Sequence, residues 1–205
     1  MRVLVACEFS GVVRDAFLSR GHEAISCDLE ESEAGGPHYC GDVRDLELSG
    51  FDLMVAHPPC THLSVSGARW FHGKEELQEE ALRFVRWLLC APVPRIALEN
   101  PVSIISSRIR KPDQVIQPWQ FGEDASKATC LWLKNLPLLR PTRVLPGGRW
   151  LRRANQTASG QNKLAPSETR ARERSLSYPG IALAMAGQWG RGGLIQEELV
   201  LGEAA

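Results

Sequence analysis

Short apolar runs alternate with amphipathic helical segments along the first hundred residues, and this alternation constrains the fold more than any other feature of the sequence. Apolar runs of this length predict strands, whereas apolar side chains spaced three and four apart predict helices. The strands are predicted at residues 3–7, 24–28, 51–56 and 95–98, and the helices at 12–19 and 74–90. The pattern is typical of an α/β fold in which a mostly parallel sheet has helices on both faces.

The second half of the chain carries weaker signals. Residues 129–133 predict a further strand, and 167–174 predict a helical segment. Pro179 suits the first turn of a final helix that continues to Trp189. Trp132 and Trp189, with Trp119 and Trp150, are expected in the core rather than in contact with a ligand.

Length and composition bound the class of protein. The 205 residues are 43% hydrophobic and 23% charged, which supports one domain with a substantial core. No apolar run approaches the ~20 residues of a membrane span, and the amino terminus lacks the features of a secretory signal. We therefore expect a cytoplasmic monomer with no membrane partner.

Charge is divided unevenly, although the formal net charge is zero. Residues 1–100 hold 9 basic and 16 acidic side chains, whereas 101–205 hold 15 and 8. Nine of the basic residues fall within 138–174, together with only two glutamates. Such a segment either faces the phosphates of a nucleic acid or balances the acidic first half as a solvated surface, and charge alone does not decide between them.

The six cysteines include no Cys-x-x-Cys pair and form no zinc pattern with the five histidines. We therefore expect no metal site, reduced thiols, and core positions for most of the cysteines.

Polar or conformationally special residues follow each predicted strand, where a parallel sheet binds its ligands. They are Glu8-Phe9-Ser10-Gly11, Asp28, His57-Pro58-Pro59-Cys60 and Glu99-Asn100-Pro101. At the first two strand ends, Gly11 would let the backbone approach a ligand closely, and Asp28 could hold a pair of ribose hydroxyls. The chain has neither Gly-x-Gly-x-x-Gly nor a phosphate loop, so a nucleoside without phosphates is favoured over a dinucleotide or ATP.

The other two strand ends combine a nucleophile with an acid. Two prolines hold an extended backbone before Cys60, and Glu99 ends the neighbouring strand. This pairing suits addition across a double bond of an electron-poor ring. Taken singly, Cys60 reads as a core cysteine and Glu99 as a helix cap, but their position at adjacent strand ends favours catalysis. His57 and His62 flank Cys60 and either tune its thiolate or, as is favoured, serve as polar loop residues.

The motif order resembles that of the cytosine-5 DNA methyltransferases, which use S-adenosylmethionine. The resemblance covers about the first hundred residues, where Pro-Pro-Cys and Glu-Asn-Pro are its most specific elements. Residues 126–133 and 178–182, with Met185-Ala186, are similar to the short phage- and prophage-type members. The resemblance implies a Rossmann-like methyltransferase fold, and a single methyltransferase domain over 1–205.

The resemblance also implies a role for each motif. Cys60 would add to carbon 6 of cytosine, and Glu99 would hydrogen-bond the ring nitrogen and the exocyclic amine. A base in duplex DNA would first flip out of the stack. The cofactor residues would be Phe9, Ser10, Gly11, Asp28 at the ribose, Asp42 at the adenine, and Pro58. The substrate residues would be Pro59, Asn100, Lys127, Arg170, Arg172 and Arg174.

The chain departs from the family pattern in three places. Little of it is left for a separate target-recognition domain, so 102–165 would form a reduced substrate-recognition region. The Gln-x-Arg-x-Arg element is not evident, and Lys127 with the arginines at 170, 172 and 174 would replace it. Tyr178-Pro179-Gly180 would replace the usual Gly-Asn element.

Three functions stay open at this point. Methylation of DNA cytosine is favoured over amine methylation, because Cys60 stands where the amine methyltransferases have an aromatic residue. The same thiol chemistry could serve a pyrimidine nucleotide or RNA. A non-catalytic module that binds the cofactor or a nucleic acid is the third reading.

Overall fold

The computed structural model describes residues 1–65, 73–148, 151–157, 172 and 176–190. The strands are β1 (Arg2–Ala6), β2 (Glu23–Asp28), β3 (His38–Cys40), β4 (Leu53–Ala56), β5 (Arg95–Pro101), β6 (Gln114–Ile116) and β7 (Thr129–Lys134). The helices are α1 (Val12–Leu18), α2 (Glu75–Leu89), α3 (Ile105–Arg108) and α4 (Pro179–Trp189).

The seven strands form one sheet in the order β3-β2-β1-β4-β5-β7-β6. Strand β7 runs antiparallel to β5 and β6, and the other neighbours are parallel. The chain begins in the middle of the sheet and builds outward first on one side and then on the other. Strand order therefore reverses between β1 and β4, which is where such sheets bind ligands. The predicted Rossmann-like α/β fold is confirmed.

Two apolar layers cover the faces of the sheet, as the alternation of strands and helices predicts. Alternate residues of β1 point to opposite sides, so Val3 lies in one layer and Leu4 in the other. The first layer contains the apolar faces of α1 and α4, including Phe17 and Trp189. The second contains the buried face of α2 and Trp132. Both tryptophans are fully buried, as predicted, while Trp119 is half-buried and Trp150 is outside the described residues.

Strand β5 is longer than its sequence pattern indicates. The apolar run ends at Leu98, but the strand continues to Pro101 because β7 pairs with it from Ile96 to Pro101. Glu99 and Asn100 are therefore strand residues and not loop residues. Strands β3 and β6 have three residues each, too few for an alternation to show in the sequence.

The cysteines correct one expectation. Cys27 and Cys130 are buried, but Cys40 and Cys90 are exposed, so the prediction that most cysteines lie in the core is wrong. None of the six is in a disulfide. Of the helix predicted at 167–174, only Arg172 is within the described residues. No helix in the described part of the chain is long and apolar enough to span a membrane.

The Gly180→Ala variant should destabilise the fold by about 1–3 kcal/mol, because the new methyl group would overlap the Phe121 backbone carbonyl, which cannot move aside. Gly187→Ala, in the same helix, is the matched control. Its methyl would meet the flexible Arg20 guanidinium at 3.1 Å, and alanine favours the helix by about 1 kcal/mol over glycine. Urea unfolding of both variants measures the difference, and equal stabilities would contradict this account of α4.

Candidate functional site

The register between β4 and β5 brings His57 and Glu99 together. Ala56 pairs with Leu98 in the parallel ladder, so the next residue of each chain segment lies at the same edge of the sheet. The Nδ1 atom of His57 is 3.1 Å from Oε2 of Glu99. Their side chains are only 11% and 15% exposed, which makes this a mostly buried pair. The sequence placed His57 beside Cys60, and its pairing with Glu99 was not anticipated.

The surroundings of Glu99 favour its carboxylate form. Burial by itself would raise the pKa of Glu99, but the hydrogen bond with His57 and the positive charge of Lys127 outweigh it and lower the pKa. A hydrogen bond with the Thr129 side chain acts in the same direction. A small pocket adjoins the pair, and its lining includes Lys127, Thr129 and Tyr178. The structure therefore brings Lys127, a predicted substrate residue, to the predicted catalytic acid.

Asn100 ties the cysteine turn to β5. Its side-chain Nδ2 donates a buried hydrogen bond of 2.8 Å to the carbonyl of Pro58. The carbonyl of Cys60 accepts the backbone N–H groups of Leu63 and Ser64, so the cysteine begins a short turn. Asn100 is thus a brace between two strand ends, while its buried Oδ1 has no partner within the described part of the chain. Pro59 is exposed on this turn.

At the end of β1, a buried carboxylate caps the first helix. Glu8 accepts the backbone N–H groups of Val13 at 2.7 Å and Arg14 at 3.2 Å, and the Ser10 hydroxyl also donates to it. The start of α1 therefore already holds an anion, which disfavours a ligand phosphate at this position. Gly11 has φ of 76°, and a Cβ at this position would overlap the buried Arg14 guanidinium. The sequence analysis placed Glu8 at this strand end but did not predict its capping role, although an acidic residue shortly before a helix is a capping signal.

The two predicted cofactor carboxylates have different surroundings. Asp28 is half-buried at the end of β2, and burial raises its pKa above the ordinary value. Asp42 is bound by the Arg44 guanidinium, which lowers the pKa of this carboxyl. Leu29, directly after Asp28, is 75% exposed at the same sheet edge. An apolar side chain this exposed beside a ribose-binding candidate is a further candidate contact, and the sequence interpretation missed it.

Arg172 lies on the predicted cofactor side of the site. Its guanidinium is 4.1 Å from the centre of the Phe9 ring and forms ion pairs with Glu30 and Glu33. It was predicted as a substrate residue, and that role stays a prediction. Arg170 and Arg174, predicted with it, are outside the described residues.

Burial changes the pKa of three cysteines other than Cys60. It raises the pKa of Cys7 and of Cys130, and it raises the pKa of Cys27 to about 12. These three therefore remain protonated thiols near neutral pH, and a protonated thiol is a poor nucleophile. Cys60 is the half-buried cysteine at the junction of the β4 and β5 ends.

Comparison with known proteins gives structural neighbours but no sequence relatives. No family model matches the chain, and no curated protein matches it. One similar structure is an E. coli prophage-encoded protein assigned as a DNA modification methyltransferase, with a TM-score of 0.49 and 14% identity over 72% of this chain and 53% of that one. Another is a triple mutant of Spodoptera frugiperda DNMT2, with a TM-score of 0.44 and 14% identity over 72% of this chain and 56% of that one. The chain thus spans about half the length of each neighbour.

The Asn100→Asp variant should lose the brace, because aspartate cannot donate to the Pro58 carbonyl and adds a buried charge. We expect a loss of about 3–5 kcal/mol in unfolding free energy and a changed rate of Cys60 alkylation in the folded protein. Asn135→Asp is the matched control, since Asn135 makes the same 2.8 Å bond to the Pro94 carbonyl at an exposed site. Its cost should stay below about 1 kcal/mol, as for an exposed bond. Equal losses in urea unfolding would rule out the brace.

Proposed function

We propose that this chain is an S-adenosylmethionine-dependent methyltransferase that methylates carbon 5 of cytosine in DNA through an adduct between Cys60 and carbon 6. One observation carries the proposal. Asn100 joins the Cys60 turn to the strand that bears Glu99, so a nucleophile and a hydrogen-bonding carboxylate come from two strand ends that are tied together. Addition of a thiolate to a pyrimidine needs this combination of groups.

Glu99 and Cys60 would act on the same ring. Cys60 would attack carbon 6 and make carbon 5 nucleophilic, while Glu99 would bind the ring nitrogen and the exocyclic amine. Its lowered pKa suits acceptance of a hydrogen bond from the amine. Release of the carbon-5 proton after methyl transfer would expel Cys60 and restore the ring.

The ends of β1 and β2 suit a cofactor with a nucleoside and no phosphates. Glu8 already occupies the helix start where a pyrophosphate would otherwise bind. Asp28 would hold the ribose hydroxyls, and the exposed Leu29 would cover a flat adenine ring. When bound, S-adenosylmethionine supplies the electrophilic methyl group. The roles of Phe9, Ser10, Gly11, Asp42 and Pro58 toward it belong to the same proposal.

DNA is the favoured substrate because the motif order resembles DNA-modifying enzymes and because the second half of the chain is basic. Arg143 and Arg152, within the basic segment, are exposed in the structure. A pyrimidine nucleotide or RNA is the alternative, since the same thiol chemistry would serve it. Binding to DNA should weaken steeply with salt if several of these arginines contact phosphates.

The decisive experiment offers methyl-labelled S-adenosylmethionine with duplex DNA, single-stranded DNA, RNA and deoxycytidine nucleotides in parallel. Products are digested to nucleosides and identified by mass spectrometry. We expect labelled 5-methylcytosine from a DNA sample. With Cys60→Ala, the amount of labelled 5-methylcytosine should fall at least about a thousandfold, because the covalent route is lost. Cys90→Ala, which removes an exposed cysteine on the C-terminal side of α2, is the control and should keep the activity.

Other results of this experiment would change the proposal. Label only in RNA or in free nucleotides would favour the alternative substrate. Equal labelling by Cys60→Ala would contradict the thiol mechanism, and no label in any sample would favour the non-catalytic binding module.

Leu29→Ser should weaken S-adenosylmethionine binding about tenfold, because the cofactor would no longer bury an apolar side chain worth about 1.5 kcal/mol. The fold should be unaffected, since Leu29 is 75% exposed. Leu138→Ser is the control, as Leu138 is 54% exposed in the loop after β7. Calorimetric titration measures both variants, and an unchanged dissociation constant for Leu29→Ser would place the cofactor elsewhere.

A further inference from the structure

Addition of a thiolate to cytosine requires a proton at ring nitrogen 3. The sulfur electron pair forms the bond to carbon 6, the carbon 5–carbon 6 π electrons move to the carbon 4–carbon 5 bond, and the carbon 4–nitrogen 3 π electrons take up the proton at nitrogen 3. Glu99 is the acid at this site, but its pKa is lowered and it is a carboxylate near neutral pH. A carboxylate without a proton accepts hydrogen bonds and cannot supply one.

His57 is placed to hold the missing proton. Its Nδ1 is 3.1 Å from Oε2 of Glu99, within hydrogen-bond reach for a proton transfer. The imidazole is mostly buried, and its Nε2 has no partner among the described residues. An imidazole keeps a proton to a higher pH than a carboxyl, since their ordinary pKa values are about 6.5 and 4.3.

Building on the proposed function, we propose that His57 is a positioning residue that stores the proton which Glu99 passes to nitrogen 3 of the cytosine. Before attack, the pair holds one proton between Nδ1 and Oε2. As sulfur bonds to carbon 6, the shared proton moves from Nδ1 of His57 through Oε2 of Glu99 to nitrogen 3, which leaves a carboxylate and a neutral imidazole. When Cys60 leaves, nitrogen 3 returns this proton to the pair, and the proton from carbon 5 passes to solvent water.

The other groups around the pair are less suited to store this proton. The Lys127 ammonium donates to the Leu176 carbonyl and lies over the Tyr178 ring. Burial raises the pKa of Tyr178, so its hydroxyl keeps its proton. The Thr129 hydroxyl does not ionise in this pH range. Asp28, at the end of β2, interacts electrostatically with His57.

The test is the pH profile of methylation by His57→Asn. Asparagine can donate a hydrogen bond to Glu99 but cannot carry the extra proton. We expect the alkaline limb of kcat to move about two pH units lower, which is the gap between an imidazole and a carboxyl. At pH 7.5 kcat should fall by about tenfold or more, while KM for DNA stays unchanged.

His62→Asn is the matched variant, since it removes the imidazole on the other side of Cys60, and it should keep the alkaline limb of the native enzyme. A structural role for His57 would lower activity equally at every pH, and this outcome would overturn the proposal. An equal shift of the limb in His62→Asn would also overturn it, because the proton would then not belong to the His57–Glu99 pair.

A second measurement separates failure of this inference from failure of the proposed function. Carbon-13 NMR follows the Glu99 carboxyl during a pH titration with neither DNA nor cofactor present. His57→Asn removes interactions that lower the pKa of Glu99, so this pKa should rise toward its ordinary value. An unchanged titration would show that the two residues share no proton. Absence of methylation by the native protein would refute the function, and the titration would still decide on the pair.

Discussion

The parallel register between β4 and β5 is the constraint on which the site depends. It pairs Ala56 with Leu98, and so it sets His57 beside Glu99 at the sheet edge. Both strands are buried on two faces, so a slip of one residue would turn every side chain into the wrong layer. The two apolar layers that hold the domain together therefore also hold the site geometry. Stability and the geometry of the candidate site share one determinant here, namely the fit of side chains such as Met54 and Ile96 against the helices.

A buried charge needs partners, and Glu99, at the edge of the sheet, obtains them from both strands that neighbour β5. His57 comes from the end of β4, and the Thr129 side chain comes from the first residue of β7. An unpaired carboxylate at this depth would destabilise the fold by several kcal/mol. The antiparallel strand β7 therefore stabilises Glu99 in addition to completing the sheet. Its pairing carries β5 three residues past the end of β4. This extension gives Glu99 a rigid backbone, while Cys60 lies on a turn that Asn100 fastens to it.

The two halves of the sheet edge have different chemistry, and the difference follows from how each strand ends. At β1 the carboxylate of Glu8 is consumed in capping α1, and the edge there offers backbone groups and the half-buried Asp28. At β4 and β5 the carboxylate of Glu99 is paired with the imidazole of His57. Under the proposed function, the first half would bind a nucleoside without phosphates, and the second would bind a ring that takes up a proton during the reaction. The partners of these carboxyl groups, more than how deeply each is buried, therefore determine what each can do.

Some features depend on the local spacing of apolar residues, and the periodicity of the sequence was enough to determine them. They are the alternation of strands and helices, the two covered faces of the sheet, the final helix at Pro179 and the meeting of strand ends. The order and direction of strands, the extension of β5 to Pro101 and the three-residue strands were decided by the tertiary structure. So were the bond between His57 and Glu99 and the use of Asn100 as a brace. The physical reason is the distance along the chain. His57 and Pro58 each meet a partner 42 residues away, and such a contact depends on how two buried strands align, which no local pattern encodes.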